Sequence, residues 1–143
     1  MESFHPLIVH FPIALLLTAL ALEVAALFLK REDLRRASLW NLTLGTVGAA
    51  VAVATGLHAE SVARHSFEIW QIMELHERLG ITTLILGLTA TTLRWSRRDR
   101  LTPRARVLAL ALMSLMAATI SFGAYLGGRM VYEFGVGQHR NTE

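Results

Sequence analysis

Imidazole is the reactive group this chain offers most often: there are six histidines, at His5, His10, His58, His65, His76 and His139, and no cysteine. Neutral imidazole is a good ligand for haem iron, zinc and copper. Without thiols the chain offers no disulfide, iron–sulfur cluster, thiolate zinc site or covalent c-type haem attachment. A b-type haem asks for two axial nitrogens, small residues beside the ring, and polar or cationic groups for its propionates. His10 and His76 are the pair this reading selects, with His58 as the substitute ligand. Gly80, Thr83, Gly56 and Thr55 supply room, and Arg129 and Arg78 supply positive charge for the propionates. His5, His65 and His139 read as boundary residues bonded to a carbonyl or a lipid phosphate.

A divalent metal ion is the competing chemistry. Glu60, Glu74, Glu77 and Glu133 are carboxylates that, with His10, His58 or His76, suit zinc or another divalent ion. Of these, His10, His76, His58, Glu60 and Glu77 are the first candidates. Glu74 and Glu77 flank His76, but this is not the HExxH spacing of a zinc hydrolase, and no serine or cysteine stands in a nucleophile motif. Hydrolysis is therefore not the expected activity. A third reading has no cofactor at all: a non-catalytic membrane scaffold or partner subunit whose polar rim docks a periplasmic protein.

The elements that position these side chains are apolar. Of 143 residues 53% are hydrophobic, and they fall into four blocks, roughly Pro12 to Leu29, Trp40 to Leu57, Leu79 to Leu93 and Val107 to Leu126. A bilayer core of about 30 Å needs about 20 helical residues. The first, second and fourth blocks approach that length, while the third is short and must draw in His76, Glu77 and Arg78, whose charges need protein or water beside them. The expectation is an all-α, antiparallel four-helix membrane bundle, one domain over residues 1–143. Gly45, Gly48, Ala49, Ala52 and Gly56 in the second block, and Gly80, Thr83, Gly87 and Ala90 in the third, recur at three- and four-residue spacing that lets helices pack closely. Trp40, Trp70 and Trp95 sit near block ends, as interface anchors do.

Charge sets the orientation. Ten of the fourteen basic residues lie in two segments, Lys30 to Arg36 and Arg94 to Arg106. Short basic loops stay in the cytoplasm, so both termini and the loop near Ala59 to Phe67 are expected on the periplasmic side of a bacterial inner membrane. The N-terminus has no basic stretch ahead of its apolar run, so it is expected to be retained rather than cleaved. The pI of about 10.2 follows from these topology signals, and nucleic acid is not an expected partner. The lipid bilayer is, with a periplasmic redox protein and a further copy of the chain as candidates.

With that topology the histidines gather at one end. Counting about 1.5 Å per residue from Lys30 back to His10 and from Arg94 back to His76 gives roughly 30 and 27 Å, similar depths. The same two residues, with Arg31 and Arg97, are separated by a constant 66 positions, and Gly56 and Gly123 by 67. Such a register suggests two hairpins related by an axis along the membrane normal. Pro12 suggests an irregular or kinked start to the first helix. Glu23 is expected to reach the basic boundary or a neighbouring helix, with Asn41 as a candidate partner.

Two stretches resemble a bacterial family of predicted membrane proteins known as domain of unknown function 2231. They are His5-Pro6-Leu7-Ile8-Val9-His10-Phe11-Pro12-Ile13-Ala14 and Leu126-Gly127-Gly128-Arg129-Met130-Val131-Tyr132-Glu133-Phe134-Gly135-Val136-Gly137. With Gly56-Leu57-His58-Ala59-Glu60 and the segment from His76 to Gly80, the likeness covers nearly the whole chain. It implies a four-helix membrane domain and leaves the biochemical role open. Fusion of some relatives to cytochrome or Rieske-type domains implies electron transfer. The family pattern often has a histidine where this chain has Phe134, so a ligand used there by relatives is replaced or lost here.

Overall fold

The computed structural model describes residues 5–62, 67–97 and 102–136, and its regular elements are four helices: α1 (His5–Leu29), α2 (Glu32–Val62), α3 (Phe67–Ser96) and α4 (Pro103–Tyr132). Each is longer than its apolar block: α2, α3 and α4 take in polar residues at both ends, and α1 extends only at its N-terminal end. At 1.5 Å per residue the 30 residues of α3 or α4 extend about 45 Å, well beyond a hydrocarbon core of about 30 Å. Three of them, over Leu7–Leu29, Glu32–His58 and Pro103–Tyr132, carry stretches long and apolar enough to cross a membrane. The helix α3 matches them in length, but Glu74, Glu77, Arg78 and Arg94 interrupt its apolar run, in line with the short third block.

The turns show why the helices stop where they do. Lys30, with φ of 53°, takes the left-handed conformation between α1 and α2, so the connection is far tighter than the basic segment suggests. Arg35 and Arg36 lie inside α2, and Arg94 inside α3, instead of in loops. At the other hairpin, Thr102 caps α4, its side chain accepting from the Ala105 amide at 3.3 Å, and Pro103 follows at a position that needs no amide hydrogen. Pro12 does not break α1, which is helical from His5 onward. Neighbouring helices support the proline: it is buried, with Gly48 of α2 against it, and a Cβ at Gly48 would come within 3.4 Å of its Cδ. Gly127 and Gly128 lie within α4, which continues to Tyr132.

The four helices form a square in which α1 packs on α2, α2 on α3, α3 on α4 and α4 on α1, while α1 and α3, and α2 and α4, are diagonal. The core contains Leu16, Ala19, Leu42, Ala49, Ala90, Met113 and Met116. Between apolar helices in lipid there is little hydrophobic drive, so close packing and cross-helix hydrogen bonds carry the association. Thr46 bonds Thr91 at 3.2 Å across α2 and α3, and Thr83 bonds Thr119 at 2.9 Å across α3 and α4. Bonds of this kind contribute on the order of 0.6 kcal/mol each. Leucines and aromatics such as Leu7, Phe28, Ile85, Leu115 and Tyr125 are left on the outside, as a lipid-facing surface requires.

Contacts in the first hairpin recur in the second, but not in the register suggested by His10 and His76. Taking His76 with His5, and Gly127 with Gly56, 76 minus 5 and 127 minus 56 both give 71. In that register α2 from Glu32 matches α4 from Pro103. Leu16 fills Gly45 in one hairpin, and in the other Gly87 has Met116 in ordinary contact, a Cβ there lying 3.6 Å from its Sδ and 2.9 Å from Thr46 Oγ1 of α2; the large and small residues of the matched pair have exchanged helices. Residues Leu15 to Leu22 and Leu86 to Leu93 share the pattern L-x-L-T-A-x-x-L. The two hairpins thus share sequence and contacts at a constant offset of 71.

Candidate functional site

At the end of the bundle bearing the histidines, two diagonal helices each send one imidazole toward the axis. His5 of α1 and His76 of α3 meet with ring centroids 6.2 Å apart and planes at 90°. The other two helices line this pair with glycine. A Cβ at Gly56 of α2 would lie 3.0 Å from His5 Cε1, and one at Gly127 of α4 would lie 3.3 Å from His76 Cε1. Bare backbone at these two positions is what allows the rings to seat against the helices.

Each ring is also held by one nitrogen. His76 Nδ1 is 2.8 Å from the Gly123 carbonyl, and a carbonyl only accepts, so Nδ1 carries the proton and Nε2 the lone pair of the neutral ring. His5 Nδ1 is 3.2 Å from Thr55 Oγ1, whose hydroxyl proton goes to the Val51 or Ala52 carbonyl, so here too Nδ1 donates and Nε2 keeps the lone pair. The Ala52 carbonyl also lies within reach of the His5 ring, and Ala52 and Gly123 are equivalent positions of the two hairpins. His5 precedes the first apolar span, and burial, followed by the nearness of His76, pushes its pKa below the ordinary histidine value of 6.5. Both effects favour a neutral ring, the form that binds metals.

The other candidates lie elsewhere. His10 is exposed on α1 and His58 is exposed near the end of α2, while the ring that meets His76 is that of His5. A residue five positions from His5 on a helix of 3.6 residues per turn points well away from it, which the depth count alone does not register. Gly80 meets only Val53 at 3.7 Å, an ordinary contact, so the glycines that make room are Gly56 and Gly127. Arg129 forks onto Glu133 within α4, and Arg78 bonds Glu74 within α3, so both cations have carboxylate partners. Glu77 is half-buried on α3. The side chain of Glu60, and the whole of His65 and His139, lie outside the described residues. Among the described residues no three histidine, aspartate or glutamate side chains gather as a metal cage.

The opposite end of the bundle carries charge. Glu23 of α1, 1% exposed, pairs with Arg94 of α3, also 1% exposed, and stands 3.8 Å from Arg35 Nε of α2. Arg94 Nη2 donates to the Arg35 carbonyl at 3.2 Å. Glu23 does reach the basic boundary, but Asn41 is not its partner, because Asn41 donates to the Ala37 carbonyl one turn back. Trp40 and Trp95 stack edge to face nearby, centroids 5.4 Å apart, with Trp95 Nε1 donating to Thr43 Oγ1 at 2.9 Å.

Sequence reasoning overlooked His5, Gly127 and the Gly123 carbonyl. The signal that finds them is the repeated L-x-L-T-A-x-x-L segment, which fixes the offset at 71 and so matches His5 to His76. No curated protein and no solved structure matches this chain. A family model covers residues 2–140, and with it the paired histidines and all four helices: the chain belongs to the predicted membrane protein family DUF2231.

Proposed function

We propose that this membrane protein is an electron-transfer component that binds one b-type haem between His5 and His76. The observation carrying the reading is the pair of imidazoles that meet from diagonal helices, 6.2 Å between centroids and with planes at 90°. The two imidazoles are the residues that would hold the haem iron, through the ring nitrogens left free by their Nδ1 hydrogen bonds. The residues present fit the group in three further respects. Both rings are fixed through Nδ1 by an oxygen of a neighbouring helix, the usual means of orienting a ligating histidine. The diagonal pair α2 and α4 carry small residues beside the histidines, Ala52, Gly56, Gly123 and Gly127, which would leave room for the group. Attachment would be non-covalent, as the absence of cysteine requires.

When bound, haem supplies reversible one-electron chemistry. The chain's own contribution is to hold two imidazoles by their Nδ1 atoms and to keep closely packed helices around them. The Thr55 hydroxyl and Gly123 carbonyl raise ligand basicity by accepting the Nδ1 protons. Arg129 and Arg78 would meet the propionates while sharing their charge with Glu133 and Glu74. The lopsided arginines orient the bundle with the histidine end outward, on the periplasmic side of the inner membrane, where a periplasmic redox protein is the natural electron partner.

The test is an absorption spectrum of detergent-purified protein from haem-supplied cells, oxidised and then dithionite-reduced. A Soret band that shifts on reduction, and is lost in His5→Ala and His76→Ala, is the expected result. A colourless preparation would reject the haem and leave a scaffold or partner subunit. Colour retained in both single variants would reject these two ligands.

A further inference from the structure

At the arginine-bearing end, away from the histidines, a groove of about 310 Å³ runs between the end of α3 and the start of α4, lined by Leu93, Arg97, Thr102, Arg104, Ala105 and Leu108. That volume is at the small end of the range for built ligand sites. Its walls are of two kinds: Leu93, Ala105 and Leu108 are apolar, and Leu108 is half exposed on the lipid-facing side. Arg97 and Arg104 are exposed at the mouth, and no carboxylate among the described residues pairs with either; Asp99 lies outside those residues.

The repeat shows what is unusual here. In the first hairpin α2 opens with Glu32 and Asp33, which suit the positive end of a helix and neutralise Arg35 and Arg31. At the equivalent places α4 carries Pro103 and Arg104, and its first turn has no acidic residue. A cation in the first turn opposes the helix dipole. Arg106 follows, and its Nε is buried without a hydrogen-bond partner. One corner of the bundle therefore pairs Arg31 and Arg35 with carboxylates of its own first turn, whereas at the other Arg97 and Arg104 stand around an apolar-walled groove with no carboxylate partner among the described residues. The neighbouring Trp40–Trp95 pair marks this level as a membrane boundary.

We infer that this groove binds an anionic phospholipid, its phosphate against Arg97 and Arg104 and its acyl chain along Leu93 and Leu108. Charge complementarity selects the head group, and the apolar wall selects a lipid over a free anion. The inference does not depend on the haem reading, since it concerns the opposite end of the bundle.

The full chain, purified in detergent and titrated with phosphatidylglycerol or phosphatidylcholine, can be followed by native mass spectrometry. Wild-type protein is expected to retain phosphatidylglycerol in preference. Arg97→Gln and Arg104→Gln should each reduce that preference about fivefold, while Arg31→Gln, at the corner where Asp33 already pairs it, should not. Arg104→Glu restores the acidic first turn seen in α2, so it should abolish the preference while raising the melting temperature of lipid-free protein. That combination separates lost binding from misfolding. Equal retention of the two lipids by wild type, or full retention by the Arg97→Gln/Arg104→Gln protein, would overturn the proposal. So would displacement of phosphatidylglycerol by inorganic phosphate beyond that seen with chloride at equal ionic strength, because the site would then be one for a free anion.

Discussion

Glu23 and Arg94 occupy equivalent positions of the two hairpins, 94 minus 23 again giving 71, and pair with each other across the bundle. Two like residues on a symmetry axis would repel if charged. The repeat has diverged here to opposite charges, and both side chains are fully buried. Breaking a buried pair leaves an uncompensated charge at a cost of about 3–5 kcal/mol. Glu23→Gln and Arg94→Gln should each lower the melting temperature sharply in detergent. The exchange Glu23→Arg with Arg94→Glu should recover much of the loss, since the carboxylate introduced on α3 would then stand toward Arg106 as Glu23 stands toward Arg35. No recovery in a double-mutant cycle of thermal unfolding would disprove the equivalence of the hairpins.

Adjacent glycines of α4 should behave differently. A methyl group at Gly127 meets His76 Cε1 at 3.3 Å, whereas one at Gly128 meets nothing within 4 Å. Gly128→Ala should stabilise the helix by about 0.5–1 kcal/mol, the ordinary glycine-to-alanine gain. Gly127→Ala should gain less or lose, and should displace the His76 ring. Thermal unfolding of the two variants side by side decides between them.

Acid should loosen the histidine end. A folded-state His5 pKa below its unfolded value means that the unfolded chain binds more protons, so stability rises with pH and falls as pH drops from about 6.5 toward the lowered value. Haem-free wild-type protein should melt at a lower temperature below pH 6.5 than above it, and His5→Gln should flatten that dependence. Thermal scans across this range provide the measurement. A His5→Gln profile as steep as the wild-type one would show that the dependence arises elsewhere.

The other two histidines that a depth count gathers at this end should be dispensable. His10→Ala and His58→Ala, both at exposed positions, are expected to leave the visible spectrum of haem-supplied protein unchanged. Thr55→Val should keep the colour but alter the reduction potential, because it removes the acceptor for the His5 Nδ1 proton. Redox titration of that variant against wild type is the check.

How much was legible in the sequence divides along a physical line. Bulk hydrophobicity and its grouping determine that the chain is helical and membrane-bound, and the charges around the third block mark α3 as the helix with the shortest apolar run. Small residues at Gly45, Gly48 and Gly87 announce close packing, and the motifs at both ends announce the family. These are properties of residue type and local spacing, summed over many positions, so they survive without coordinates. What the tertiary structure decided is direction. A count of depth places His5, His10, His58 and His76 near one end, but only the rotation of each helix about its own axis says which imidazole faces the centre. That rotation is set by packing of Leu16 into Gly45, Met116 against Gly87 and Phe11 with Pro12 against Gly48. Those contacts turn His5 inward and His10 outward, fold Arg94 back onto Glu23, and leave Arg97 and Arg104 outside.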